Sequence, residues 1–192
     1  NLEAAPIEGL NASYAYVDQV NRIFGSEATG AQKNFKGDIH LLDLTLEKAV
    51  TLGAYLYELD IDNAAANAST TYGAYLAGDT QVMGDQTLAY RVEIAQQRDT
   101  GDNPMDYDAL YAAGSLKLTC EANASLILGV ELLGSDDGMA AFQTPLATLH
   151  KFNGWADVFL TTPTSGLIDY YVGVDTPLPG GLTGQLIYHY FD

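Results

Sequence analysis

Residues 88–95 read Leu-Ala-Tyr-Arg-Val-Glu-Ile-Ala, with Leu88, Tyr90, Val92 and Ile94 at every second position and Ala89, Arg91, Glu93 and Ala95 between them. Side chains of an extended strand alternate between two faces, whereas those of a helix repeat near 3.6 residues. The stretch therefore predicts a strand with one greasy face and one wet face. Eight further segments alternate in the same way, at 9–17, 39–46, 52–59, 70–77, 108–118, 126–132, 168–174 and 182–190. In the second of these, His40, Leu42, Leu44 and Leu46 oppose Asp43 and Thr45. In the third, Tyr55, Tyr57 and Leu59 oppose Ala54, Leu56 and Glu58, and the charge at Glu58 predicts the latter set as the wet side.

The connections between these segments alternate in length. Long ones run over 18–38, 60–69, 97–107 and 134–166, and short ones over 47–51, 78–86, 119–125 and 175–181. Antiparallel neighbours joined in this way put all long connections at one end of a sheet. Outer-membrane barrels have that asymmetry, with long extracellular loops and short periplasmic turns. The fold expected is all-β, an antiparallel up-and-down meander of about nine strands, within a single domain over 1–192 that forms part of a transmembrane β-barrel. Nine strands start and stop on opposite sides, while single-chain bacterial barrels carry even numbers. The expectation is an incomplete barrel, completed by missing strands or by a homo-oligomer.

Two features favour lipid over a soluble sandwich as the greasy face's environment. The wet faces carry both signs of charge, as a water-filled lumen does, at Asp43, Glu58, Arg91, Glu93, Lys117, Glu131 and Asp169. Tyr16, Tyr90, Tyr170 and Tyr190 stand towards strand ends, where an interfacial aromatic girdle belongs. Leu88, Val92, Leu128 and Val172 are then expected to meet hydrocarbon, and Glu93 and Glu131 water. With 8 Lys and Arg against 25 Asp and Glu, the formal charge is -17, so nucleic acid is not an expected partner. Outer-membrane lipid and small solutes or ions are. The one cysteine, Cys120, excludes an internal disulfide framework.

Three stretches resemble a known family: EGLNASYAYVDQVNRIFG (8–25), AYLYELDIDNAAANASTTYGAYLAGD (54–79) and AFQTPLATLHKFNGWADVFLTTPTSGLIDYYVGV (141–174). They resemble bacterial outer-membrane porins of the alginate-export-like group. The resemblance implies a many-stranded barrel in the cell outer membrane that passes solutes, with this chain as its middle to C-terminal part, lacking the last strands. Export of a polyanion calls for an electropositive lumen. Arg91 and Lys117 are the only basic residues on the wet faces, so a mildly cation-preferring or unselective pore is expected instead.

Three groups of residues are site candidates. The seven charged residues above are expected to line the pore, with Arg91 and Glu93 two apart on one face. The longest connection holds Phe142, Leu146, His150, Phe152 and Trp155 among polar residues. Apolar side chains in a long loop need a dry place, found either by folding inward as a constriction or by packing over the rim or a neighbouring subunit. Asp99, Asp102 and Asp106 offer oxygen ligands for Ca²⁺, although their spacing is not that of the twelve-residue calcium loop. No other cofactor is expected. His40, His150 and His189 lie on separate segments and no Gly-x-Ser-x-Gly elbow occurs, so the chain is not expected to be an enzyme. A rival from another class is an extracellular structural or adhesive β protein that assembles by strand pairing between chains, with divalent cations at its acidic loops.

Overall fold

The computed structural model describes residues 1–192. Its main sheet begins with β1 (Leu2–Ile7), β2 (Leu10–Asn21), β3 (Asn34–Glu47), β4 (Thr51–Ile61), β5 (Ser69–Met83), β6 (Gln86–Asp99), β7 (Asp108–Thr119) and β8 (Ser125–Leu133). A two-stranded ribbon of β9 (Ser135–Asp136) and β10 (Ala140–Ala141) interrupts it, and β11 (Leu167–Leu178) and β12 (Leu182–Phe191) complete it. The ten strands of the sheet pair antiparallel in the order β1 to β8, then β11 and β12. Long connections at 22–33, 62–68, 100–107 and 134–166 share one end, and short ones at 8–9, 48–50, 84–85, 120–124 and 179–181 share the other.

All nine expected strands are present, most extended by a few residues, and β1 is a tenth. Its sequence, Leu-Glu-Ala-Ala-Pro-Ile, lacks clean alternation and contains a proline. Pro6 is tolerated because β1 is an edge strand whose register with β2 breaks between Ala4 and Ile7, where no ladder donor is required. The strand number is therefore even. The sheet is nevertheless open, since β1 and β12 do not pair with each other.

Ladders hold this structure together: 94 of its 110 backbone hydrogen bonds lie within strands and short helices. Only 22 of the 192 residues are buried, too few for a soluble sandwich of this length to close a core. The apolar residues face outward. Val92 is 54% exposed, Leu128 45% and Val172 42%, and Leu44, Leu56, Leu116 and Leu186 share their condition. Tyr16, Tyr170 and Tyr190 stand on the same outer face.

The other face is concave, because residues of six successive strands, β3 to β8, line one common cavity on it. Two small apolar clusters sit on this side near the long-connection end. One joins Phe35, Ile39, Leu59 and Ile61. The other joins Tyr107, Ala109, Leu133, Phe142 and Leu167.

Candidate functional site

The centre of the concave face is built from tyrosines that reach across strands to carboxylates. Direct cross-strand partners share a face, and the register sets Tyr55 opposite Gly73 and Tyr75 opposite Gly53. A Cβ on Gly73 would strike the Tyr55 ring, and one on Gly53 would strike the Tyr75 ring. With hydrogen there instead, each ring lies flat over the neighbouring strand. Tyr55 thereby crosses β5 and donates to Glu93 Oε1 on β6 at 2.8 Å. Tyr57 donates to Asp43 at 2.6 Å and Tyr111 to Glu131 at 2.6 Å. The Arg91 guanidinium sits 3.7 Å from the Tyr75 ring centroid while holding Glu93 Oε2 at 2.7 Å.

The charged residues named from the sequence separate into two groups. Asp43, Arg91, Glu93, Lys117, Glu131 and Asp169 share the concave face. Glu58 does not, which corrects the expectation for β4: it pairs with His40 on the outer, Leu-rich face. Both faces of β4 carry apolar residues, so polarity alone could not orient it. On that outer face, Tyr14 bonds His40 and Tyr16 donates to Asp38, making a polar and aromatic band at the long-connection end.

Both concave-face cations are already engaged. Arg91 pairs with Glu93, and Lys117 Nζ with Asp175 at 2.7 Å. Asp169 is 1% exposed and receives His189 Nδ1 at 2.9 Å. Glu131 and Asp169 are direct cross-strand partners, a like-charge juxtaposition that costs sheet stability.

The long connection folds inward over this surface as a strap. Gln97, 2% exposed, accepts from the Gln143 backbone N–H at 2.7 Å and donates to its carbonyl at 2.8 Å. The Gln143 side chain makes the same reciprocal pair with the backbone of Thr162. Asn153 donates to Glu131 Oε2 at 2.8 Å, and Phe142 packs 5.1 Å from the Tyr111 ring. Tyr107 donates to Gln97 at 3.1 Å, and burial pushes its hydroxyl up to about 12. Residues 144–160 extend across to Val20 near the end of β2 and to Arg22 and Phe24 just past it.

Of the strap residues named from the sequence, Phe142, Leu146 and Phe152 line the cavity. His150 and Trp155 do not, which corrects their assignment. They stack on each other at 4.9 Å, His150 is tied to Asp157, and Trp155 is 78% exposed. Asp99, Asp102 and Asp106 do not converge as a three-carboxylate cluster, since no group of three or more His, Cys, Asp or Glu side chains comes together in the chain. Asp99 instead accepts the Tyr107 backbone N–H.

Sequence reasoning missed Gln97 and the inward tyrosines at 55, 57, 75 and 111. Their one available signal was Tyr spaced two apart at 55 and 57, with Gly at 53 and 73 in the facing stretches.

No family model matches the chain, and no curated protein matches it. Two solved structures do. The outer membrane protein opdK from Pseudomonas aeruginosa superposes with a TM-score of 0.74 at 16% identity, over 98% of this chain and 52% of that one. A doubly substituted OccD1 (OprD) superposes with a TM-score of 0.68 at 16% identity, over 98% of this chain and 47% of that one. This chain spans about half the length of these structures. Its ten-stranded antiparallel meander has the fold of the matching half of these two structures.

Proposed function

We propose that the chain is part of an outer-membrane channel through which small solutes or ions diffuse passively. The observation that carries this is the division of its two faces. Leu, Val and Ile stand exposed on the outside, where only hydrocarbon makes them favourable, and the charged residues face inward across a cavity of about 500 Å³. Strands β2 to β12 of the main sheet run 9–15 residues, and about 9–11 tilted residues cross a bilayer. The free edges of β1 and β12 are paired with further strands in lipid, which does not tolerate unsatisfied backbone groups. The likeness to the outer membrane protein opdK supports both the location and the class, and such a role involves no chemical catalysis.

The matched structures are opdK and OccD1 (OprD) and lend no support to the alginate-export-like group, so neither that family nor its solute is carried over. A polyanion would meet Asp43 and Glu131, while Arg91 and Lys117 are neutralised by their partners. The pore therefore favours cations. Reconstitution of the protein in planar lipid bilayers tests this. Stepwise currents and a reversal potential of cationic sign in a KCl gradient are expected. Absence of current, with filaments forming instead, would point to strand pairing between chains.

A further inference from the structure

The strap is pinned firmly at its neck and held at one point of its body. Gln143 and Thr162 close the neck through two reciprocal bonds, and Gln97 ties Gln143 to β6. Between neck residues, the whole of 144–161 makes a single hydrogen bond to the strands, from the Asn153 amide to Glu131 Oε2 at 2.8 Å. Its other seat is apolar, with the Phe159 and Phe191 rings 4.8 Å apart. The geometry points to a proton-operated latch: a proton taken up by Glu131 loosens Asn153 and lets residues 144–161 swing about the Gln143–Thr162 neck, widening the passage.

Both oxygens of Glu131 are engaged as acceptors, Oε1 by Tyr111 and Oε2 by Asn153. An ionised carboxylate only accepts, whereas a protonated one must donate from one oxygen. A proton on Oε2 meets the Asn153 N–H donor to donor. A proton on Oε1 is received if the Tyr111 hydroxyl turns, and the Asn153 bond then loses its charge assistance, about half of its strength. Either way the latch weakens. The groups around Glu131 favour such an event. Asp169 stands directly opposite on β11 with Tyr171 two residues on, and His189 of β12 holds Asp169. Tyr111 faces it from β7, and Glu93 of β6 lies one strand further, paired with Arg91. On the strap, His150 and Asp157 pair with each other and the Lys151 ammonium lies over Phe152. No Lys or Arg pairs with Glu131, so a proton there also removes the repulsion from Asp169. Both strands flanking β8 belong to this chain, so its neighbours along the sheet are all present.

The inference rests on reading the concave face as a lumen, so one measurement follows the strap and another the current. Spin labels at Lys151→Cys and Asp85→Cys, in a Cys120→Ser background, report the distance from strap to short-turn end by electron–electron resonance in lipid vesicles. Distances and single-channel conductance are compared at about pH 7.5 and about pH 4, on either side of the ordinary carboxylate range. The ratio of open to closed strap should rise about tenfold on acidification, and conductance should rise with it. Glu131→Gln offers Asn153 an uncharged acceptor, so it should show the acid distances at both pH values. Asn153→Gly suits the left-handed backbone there, φ 51°, and lacks the donor; it should also stand open at both, and serves as the test if the first variant does not fold. Identical distances at both pH values overturn the latch, as does a folded variant with the full acid response. Strap movement without any current would leave the latch standing and remove the channel.

Discussion

Replacing Gln97 by Leu should release the strap from the concave face. Leu is close to Gln in volume but makes none of the four hydrogen bonds of Gln97: two with the Gln143 backbone, one to Thr71 and one from Tyr107. The two bonds to Gln143 join strap to sheet. Each is worth about 1 kcal/mol net, rising to about 1–3 kcal/mol where its partner stays dry and unpaired. The closed strap should thus lose roughly 2–4 kcal/mol, a shift of about 30- to 1,000-fold in its open-to-closed ratio at tenfold per 1.4 kcal/mol. Lys151 is the only Lys or Arg between residues 134 and 166, so limited trypsinolysis reports opening at one bond. Cleavage after Lys151 should accelerate by at least an order of magnitude, and single-channel conductance should rise. Gln97→Glu keeps the two acceptor contacts but sets a carboxylate oxygen against the Gln143 carbonyl in a buried position, so the strap should open in that variant too. A folded Gln97→Leu protein with the parental cleavage rate and conductance would falsify the amide tether.

Two further outcomes test other parts of the structure. Leu128→Arg puts a charge on the outer face and should cost about 2–4 kcal/mol near the bilayer midplane, measured as folding stability in lipid vesicles; a cost no larger than that of Ala113→Arg on the concave face would reverse the assignment of faces. For Tyr107 the fold favours the neutral phenol, raising its pKa from 10.0 to about 12. Its contribution, about 2–3 kcal/mol from those two units, is fully present below pH 10 and disappears as pH rises through about 12. A difference titration at 295 nm against Tyr107→Phe should place the missing step near pH 12, and a step near pH 10 would contradict the burial.

Most of the strand pattern was legible in the sequence because period-two alternation is a local property: it depends on each residue and the one two positions away. Leu88, Tyr90, Val92 and Ile94 announce their common face without reference to any other strand. Long and short connections could likewise be counted directly, which set the meander and its two ends. The edge strand β1 escaped because an edge containing Pro6 needs neither a full ladder nor strict alternation. Glu58 was misassigned because β4 is apolar on both sides, and only pairing with β3 sets Tyr55 beside Asp43 and Glu58 beside His40.

By itself, then, the sequence determined an all-β meander with a lipid-compatible face and an acidic one. Tertiary structure alone decided which charges remain free, where the strap rests and what lines the cavity beneath it. These depend on partners distant along the chain: Glu93 reached by Tyr55 across a glycine, Arg91 spent on Glu93 and Tyr75, Gln143 caught by Gln97. Register and loop closure bring such pairs together, and neither leaves a trace in the local spacing of residues.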